Sequence, residues 1–451
     1  MTATGHAATQ TLRWSAQDPL LAGLLASTEA GAERLFEVPA ARPTGTRIGR
    51  IVAGDAWPDE LPPLDRLAPV PDLADAERPT TPDAGHVVLF CEETSGKRWP
   101  LCIDRPGKPL RWAVDPAAWI RTLLEETYAG ELARPLPSRI PLVNYARLPH
   151  AVKGLAESLL GQLAGPGPNR PFPELPLDTL ADSLRALCAR TARVATDRTL
   201  WPDGRRAAIT LTHDVDTEWI LEARNSGLLD EILDAETSLG FRGAWYIVAS
   251  RVDPIRHERA LNTIRDAGHE IGAHGWNHDA KLAYLDESAQ ERRATRILDR
   301  LADLGVEGIR TPWYSRSPEL FTVLERHFAY DTSVPSASDL YGTRTHTGCC
   351  TVFPYRAAGR LTELPITLPP DTALDGLGGY AMLHRLADEI VAQGGVLVPI
   401  LHPQPHQSAR RGRLEPYFEF LRGVARRWEG ELWSATPAEI VRWYTCAVGG
   451  A

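Results

Sequence analysis

Apolar and polar positions change their rhythm near residue 207. Beyond it, short apolar runs alternate with stretches in which apolar residues recur every three or four positions. That is the pattern of buried strands alternating with amphipathic helices. Strands are expected at Ile209 to Leu211, Gly243 to Val248, Glu270 to Gly272, Gly308 to Arg310, Tyr330 to Asp331 and Leu397 to Leu401. Helices are expected around Leu228 to Leu239, Arg259 to Ala267 and Leu285 to Leu304. The alternation implies a parallel sheet covered by helices, long enough to close into a barrel.

Before residue 207 the rhythm is less regular. Leu20 to Leu35, Ala117 to Tyr128, Val152 to Leu163 and Leu180 to Val194 carry helical spacing, while Arg47 to Ala53 and His86 to Cys91 read as strands. Asp55 to Thr81 is rich in Pro, Asp and Ala and reads as a long surface loop. Gly165-Pro166-Gly167-Pro168 breaks the chain. The expected organisation is a mixed α/β domain over residues 1–165, a proline-rich linker and helix over 166–206, and the regular domain over 207–451.

Composition narrows the function classes. A formal net charge of -9 gives no general attraction to nucleic acid. Six cysteines in 451 residues make no disulfide framework, and none of their spacings suits a metal site, so buried small hydrophobes are expected. No stretch is long and apolar enough to predict a transmembrane helix. The N-terminal stretch lacks a basic start and an apolar core, which points to a cytoplasmic location.

Polar clusters fall where the predicted strands end, the place where such folds carry their sites. His213, Asp214 and Asp216 close the run Ala207 to Leu211. His274 and His278 stand four apart after the next strand but one. With Asp216 they form a donor set for a divalent metal such as zinc, with a position left for water. The alternative for the pair is two surface histidines. His269 is expected either to support a ligand from behind or to be structural, rather than to be a fourth ligand. Arg310 ends a short apolar run and needs a carboxylate if buried, with Asp214 the candidate. Trp276, Trp313 and Tyr314 either wall a pocket or fill core. Asp331 and His402 end further apolar runs, and a carboxylate beside His402 would make it a proton donor. His213 and His406 have no evident place.

Thr212-His213-Asp214-Val215-Asp216, His274-Gly275-Trp276-Asn277-His278, Arg310-Thr311-Pro312-Trp313, Asp331 and Leu401-His402 occur in one order. Over residues 207–405 the set resembles the polysaccharide deacetylase family, the NodB-homology group of family 4-like carbohydrate esterases. The resemblance implies a distorted (β/α) barrel with fewer than eight complete units, to which the first region adds an N-terminal α/β domain. It implies one divalent metal, zinc or else cobalt, nickel or manganese, held by Asp216, His274 and His278. It gives Asp214 the role of general base, Arg310 that of its partner, His402 that of general acid and Asp331 that of the carboxylate tuning it. The usual first motif has two adjacent aspartates and then glycine. Here Val215 intervenes and Thr217 follows, as in a divergent branch of the family.

The expected function is hydrolysis of an acetamide C–N bond, most readily N-deacetylation of an N-acetylated sugar or sugar-containing metabolite. The expected partner is thus a small-molecule or oligosaccharide substrate. Hydrolysis of another linear or cyclic amide is the first alternative. A non-catalytic carbohydrate-binding protein of the same fold is the second.

Overall fold

The structure is a computed structural model. It describes residues 36–37, 45–57, 65–73, 85–93, 95–105, 110–114, 116–129, 200–336, 348–376, 379–409 and 414–449, with positions 78, 152, 177 and 178. The helices expected at Leu20 to Leu35 and Leu180 to Val194, and nearly all of Val152 to Leu163, lie outside the described residues.

The described N-terminal residues build a six-stranded sheet. Its strands are β1 (Phe36–Glu37), β2 (Gly45–Ala53), β3 (Asp65–Asp72), β4 (His86–Glu93), β5 (Arg98–Asp104) and β6 (Leu110–Trp112), in the order β1-β6-β5-β4-β2-β3. Only the β1–β6 pair is parallel. Trp99, Leu101, Cys102 and Ile103 of β5 are buried, as a continuous apolar run requires. Helix α1 (Pro116–Leu124) follows, with a single 3-10 turn at Thr127–Ala129. β3 lies inside the stretch whose prolines suggested a loop. It pairs only with β2, and on an edge strand a proline without an N–H need not break a ladder.

The second part begins with β7 (Ala207–Ile209) and β8 (Leu211–Val215), followed by α2 (Ser226–Ser238), β9 (Gly243–Ile247), α3 (Glu258–Asp266), β10 (Glu270–Ala273) and α4 (Glu287–Arg300). It continues with β11 (Gly308–Ile309), α5 (Pro318–Leu324), β12 (Tyr330–Asp331), β13 (Tyr355–Ala358) and β14 (Leu361–Glu363). The last elements are α6 (Tyr380–Gln393), β15 (Val396–Leu397), β16 (Ile400–Leu401), α7 (Leu414–Arg427), β17 (Leu432–Ser434) and α8 (Pro437–Gly449). Eight strands join in the order β13-β14-β12-β11-β10-β9-β8-β16, parallel except for β13 against β14. A three-stranded parallel sheet, β15-β7-β17, extends the same strands backwards. The sheet curls without closing, so the expected barrel is a half-barrel.

Local sequence explains the helix starts. Asp286 caps α4 by accepting from the Ala289 N–H at 2.9 Å, and Ser317 caps α5 ahead of Pro318. Every residue of β8 and β9 is buried, since helices cover one face and the barrel interior the other. Gly308 is needed for the packing. A Cβ there would lie 1.9 Å from the Tyr330 ring, which crosses β11 at that point.

The two parts share buried contacts. Tyr355 donates to the Leu124 carbonyl at 3.1 Å, and Tyr128 meets the backbone of Gly348. Asp178 accepts from the Thr351 hydroxyl and the Val352 N–H. Cys91, Cys102, Cys349 and Cys350 are buried thiols, whereas Cys446 is exposed. Among the described residues no helix is long and apolar enough to cross a membrane.

Candidate active site

Strand alternation decides which side chains enter the barrel mouth. Along β8, successive side chains face opposite sides. Thr212 and Asp214 therefore share one side, where Arg310 Nη1 donates to Thr212 Oγ1 at 3.0 Å and to Asp214 Oδ1 at 2.8 Å. His213 takes the other side. Its ring stacks on Trp245, and its Nε2 lies 2.8 Å from Glu236 of α2. Tyr417 of α7 donates to the same Glu236 at 2.7 Å, and His269 lies 3.6 Å from it. This buried cluster accounts for His213 and places His269 beside Glu236. Burial lowers the His269 pKa to about 4, against the pull of Glu236.

Asp216, just past β8, meets two histidines. Its Oδ1 lies 3.4 Å from His274 Nε2 and 3.2 Å from His278 Nε2. The three ligand atoms lie within 4.8 Å of one another, and all three residues are buried. The turn between the histidines depends on Gly275, whose φ is +70° and whose absent Cβ would lie 2.9 Å from the Pro312 ring.

Two features of this structure fit a divalent cation. Asp216 Oδ1 is buried without a hydrogen-bond donor, a costly state that a cation relieves. His274 Nδ1 lies 2.8 Å from the Arg310 carbonyl and donates to it, which leaves the lone pair of Nε2 facing Asp216. Two imidazole nitrogens and one carboxylate oxygen suit zinc and its first-row neighbours. The fit matches the expected ligand set.

Arg310 follows β11 and is fully buried. Besides Asp214 and Thr212, it donates from Nε to the Thr332 carbonyl at 3.0 Å and from Nη2 to the Thr332 hydroxyl at 3.1 Å. Burial alone would raise the Asp214 pKa, but Arg310, with His274 and His402 beyond, holds it below the usual carboxylate range. Asp214 therefore stays ionised.

His402 follows β16, and its Nε2 lies 3.6 Å from Asp214 Oδ2. Its carboxylate partner is Asp371, not Asp331. His402 Nδ1 lies 2.6 Å from Asp371 Oδ1, and the His402 backbone N–H donates to Asp371 Oδ2 at 2.8 Å. The Ser408 hydroxyl also donates to Asp371 Oδ2. Burial opposes charge on His402, but Asp371 outweighs it, with Asp214 and Asp216 adding to the effect, and the pKa is raised to about 10.

Asp331 is occupied elsewhere. It accepts from the hydroxyl of Ser333 at 2.8 Å and from its N–H at 3.1 Å, and Ser333 Oγ in turn accepts from the Thr311 N–H at 2.9 Å. Asp331 also adjoins Glu363, whose pKa is held well above the usual range by burial and by the neighbouring carboxyl group. Asp331 thus braces the loop after Arg310 and does not touch His402.

The three aromatic candidates part company. The Trp313 ring centroid lies 6.2 Å from that of His278. Trp276 has the Arg296 guanidinium 3.7 Å over its ring, and Tyr314 is buried with Ile366 and Ile400. Gln404 was not evident in the sequence. It accepts from the Thr217 hydroxyl at 2.7 Å and donates to the Asp214 carbonyl at 3.5 Å, tying the His402 loop to the end of β8. No sequence rhythm marks such a residue.

Residues 203–327 match the family model for polysaccharide deacetylase. The matched stretch contains Asp214, Asp216, His274, His278 and Arg310, and it ends before Asp331, Asp371 and His402. No curated protein matches the chain. Among solved structures, the chain is similar to a Mycobacterium smegmatis protein assigned as a polysaccharide deacetylase, at 22% identity and a TM-score of 0.41, covering 54% of this chain and 91% of that one. It is also similar to the allantoinase Puue, at 17% identity and a TM-score of 0.42, covering 55% and 93%. A family 4 carbohydrate esterase from Streptomyces lividans, in complex with acetate, is similar at 14% identity and a TM-score of 0.33, covering 51% and 92%.

Proposed function

We propose that the chain is a metal-dependent amidohydrolase that removes the acetyl group from an N-acetylated sugar or sugar-containing metabolite. One observation carries this reading. Asp214 has one oxygen held by Arg310 at 2.8 Å and the other 3.6 Å from His402 Nε2, next to the Asp216, His274 and His278 cluster. An anionic acceptor and a cationic donor thus face each other across one small space.

Asp216, His274 and His278 would hold the metal, with zinc favoured by the donor set. When bound, such an ion acidifies water and polarises a carbonyl. The remaining work belongs to the chain. Asp214 accepts a proton from the attacking water as the carbon–oxygen bond forms. Arg310 keeps that carboxylate ionised and fixed in orientation. His402 gives its Nε2 proton to the amide nitrogen as the carbon–nitrogen bond breaks. Acetic acid and the amine leave, the acid passing its proton to the amine or to solvent, and His402 recovers the proton that Asp214 took. Asp371 keeps His402 charged between turnovers.

The test is a panel of N-acetyl sugars, nucleotide sugars and cyclic amides given to metal-loaded protein, with acetate and free amine measured. Acetate and amine released in equal amounts from an N-acetyl sugar is the expected result. Ring opening of a cyclic amide without acetate would replace this reading with another amide hydrolysis. No turnover by protein that holds its metal would overturn it.

A further inference from the structure

Trp313 reaches the metal-ligand cluster on a backbone that ordinary residues avoid. Trp313 and the next residue, Tyr314, have φ values of +60° and +52°. Two consecutive non-glycine residues in the left-handed region persist only where their surroundings impose it. Short bonds fasten this loop within itself. The Tyr314 N–H donates to the Thr311 carbonyl at 3.1 Å, and the Thr311 hydroxyl donates to the Ser315 carbonyl at 2.7 Å. The Tyr314 carbonyl accepts from Arg316 Nη1 at 2.9 Å.

Arg316 is itself buried, and a buried guanidinium holds its place only beside a carboxylate. That carboxylate comes from outside the barrel. Glu126, just past α1, receives Arg316 Nε and Nη2 on its two oxygens, each at 2.5 Å, and is buried as well. Glu126 also has a positive φ, +53°, so its backbone bends to deliver the side chain.

We propose that Glu126 is a positioning residue for the pocket wall: through Arg316 it holds Trp313 against the metal-ligand cluster, and so the segment before the barrel helps to define how substrate is held. The inference rests on the deacetylase reading for what the pocket binds, but not for the position of Trp313. Without Glu126, Arg316 turns toward water and releases the Tyr314 carbonyl. The left-handed pair then relaxes and Trp313 leaves His278. Asp216 follows β8, and His274 and His278 follow β10, so these residues keep their places.

The experiment uses full-length protein labelled with 5-fluorotryptophan, with the Trp313 resonance assigned by Trp313→Phe. Glu126→Gln keeps the volume and removes the charge. Tyr128→Phe is the control, since it loosens the same junction at Gly348 without touching Arg316. Glu126→Gln should shift or broaden the Trp313 resonance and leave that of the core residue Trp245 unmoved. It should bind wild-type amounts of metal and raise KM by roughly tenfold or more, with a smaller change in kcat. Tyr128→Phe should change none of these. If Glu126→Gln does not fold, Arg316→Lys, which keeps the charge but loses the fork, should give the same pattern. An unmoved Trp313 resonance with unchanged KM in a folded Glu126→Gln or Arg316→Lys protein would overturn the proposal. Equal effects from Tyr128→Phe would overturn it too. A displaced Trp313 resonance in a protein that releases no acetate would uphold the tether and reject the deacetylase reading.

Discussion

Asp371 holds His402 twice, at the ring through Nδ1 at 2.6 Å and at the backbone N–H at 2.8 Å. The first contact fixes which nitrogen faces Asp214, and the second fixes the ring's distance from the end of β16. With a pKa raised to about 10, His402 is a cation across the neutral range. Asp371→Asn should remove the charge and, because its NH2 group cannot accept, one of the two bonds to His402 as well. The alkaline limb of kcat/KM should then move down by about one pH unit or more. The sign of the stability effect follows. A raised histidine pKa contributes stability that is full below about pH 6.5 and is lost as pH rises through about 10, and the variant should lack that pH-dependent loss. Identical pH profiles for variant and wild type would refute the pairing.

The metal ligands predict a different loss. His278→Ala removes one of three ligands and should leave purified protein with little metal, measured by elemental analysis. Adding zinc to metal-free wild type should raise Tm with concentration, because only the folded chain brings Asp216, His274 and His278 together. The variant should show a much smaller rise.

Asp214→Asn separates chemistry from binding. The ligands remain, so metal content should stay near wild type, while turnover should fall by roughly 100-fold or more. Stability should fall as well. Arg310 is fully buried, and removing its counter-charge should cost about 3–5 kcal/mol, read from denaturant unfolding.

Glu270, at the start of β10, offers a pH test remote from the chemistry. Burial raises its pKa to about 7, although Tyr330 and the Ala438 N–H both donate to it. For a carboxyl group raised in the folded state, the favourable protonated form is fully present below the unfolded pKa near 4.5 and is lost as pH climbs through 7. Wild type should therefore gain on the order of 3 kcal/mol on going from pH 8 to pH 4.5, relative to Glu270→Gln. Parallel stability curves for the two proteins would refute the assignment.

The proposed boundary within residues 166–206 predicts where a protease cuts. A nick between Gly165 and Pro202 should leave two fragments that still elute together. The buried pair Glu126 with Arg316 and the half-buried bond of Tyr128 with Gly348 join the two parts on either side of that window. Fragments that separate without denaturant would show that these contacts are too weak to hold the junction.

The alternating rhythm after residue 207 located the strands from β8 to β12 and the pair β15 and β16, because period and burial leave a direct mark on residue type, but it passed over the short β13, β14 and β17. The metal ligands were legible for the same local reason: His274 and His278 are close in sequence, and Asp216 ends a clear apolar run. Asp371 was not legible. It lies 31 residues before His402, in a short 3-10 segment without periodic signal, and only the fold brings the two together. Asp331 ends a strand as a catalytic carboxylate would, yet its oxygens go to Ser333. Glu126 and Arg316 look like surface charges in sequence and become buried only at the junction between the parts. The prolines near β3 concealed a strand because their cost depends on whether the strand has one neighbour or two.

β16 is two residues long, and within the eight-stranded sheet it has β8 alone as a neighbour. Ligands His274 and Asp216 and the partner Arg310 hang from strands gripped on both sides, whereas the proton donor hangs from a rim. The position of His402 relative to Asp214 therefore rests on side chains, Asp371 and Gln404, rather than on a second neighbouring strand.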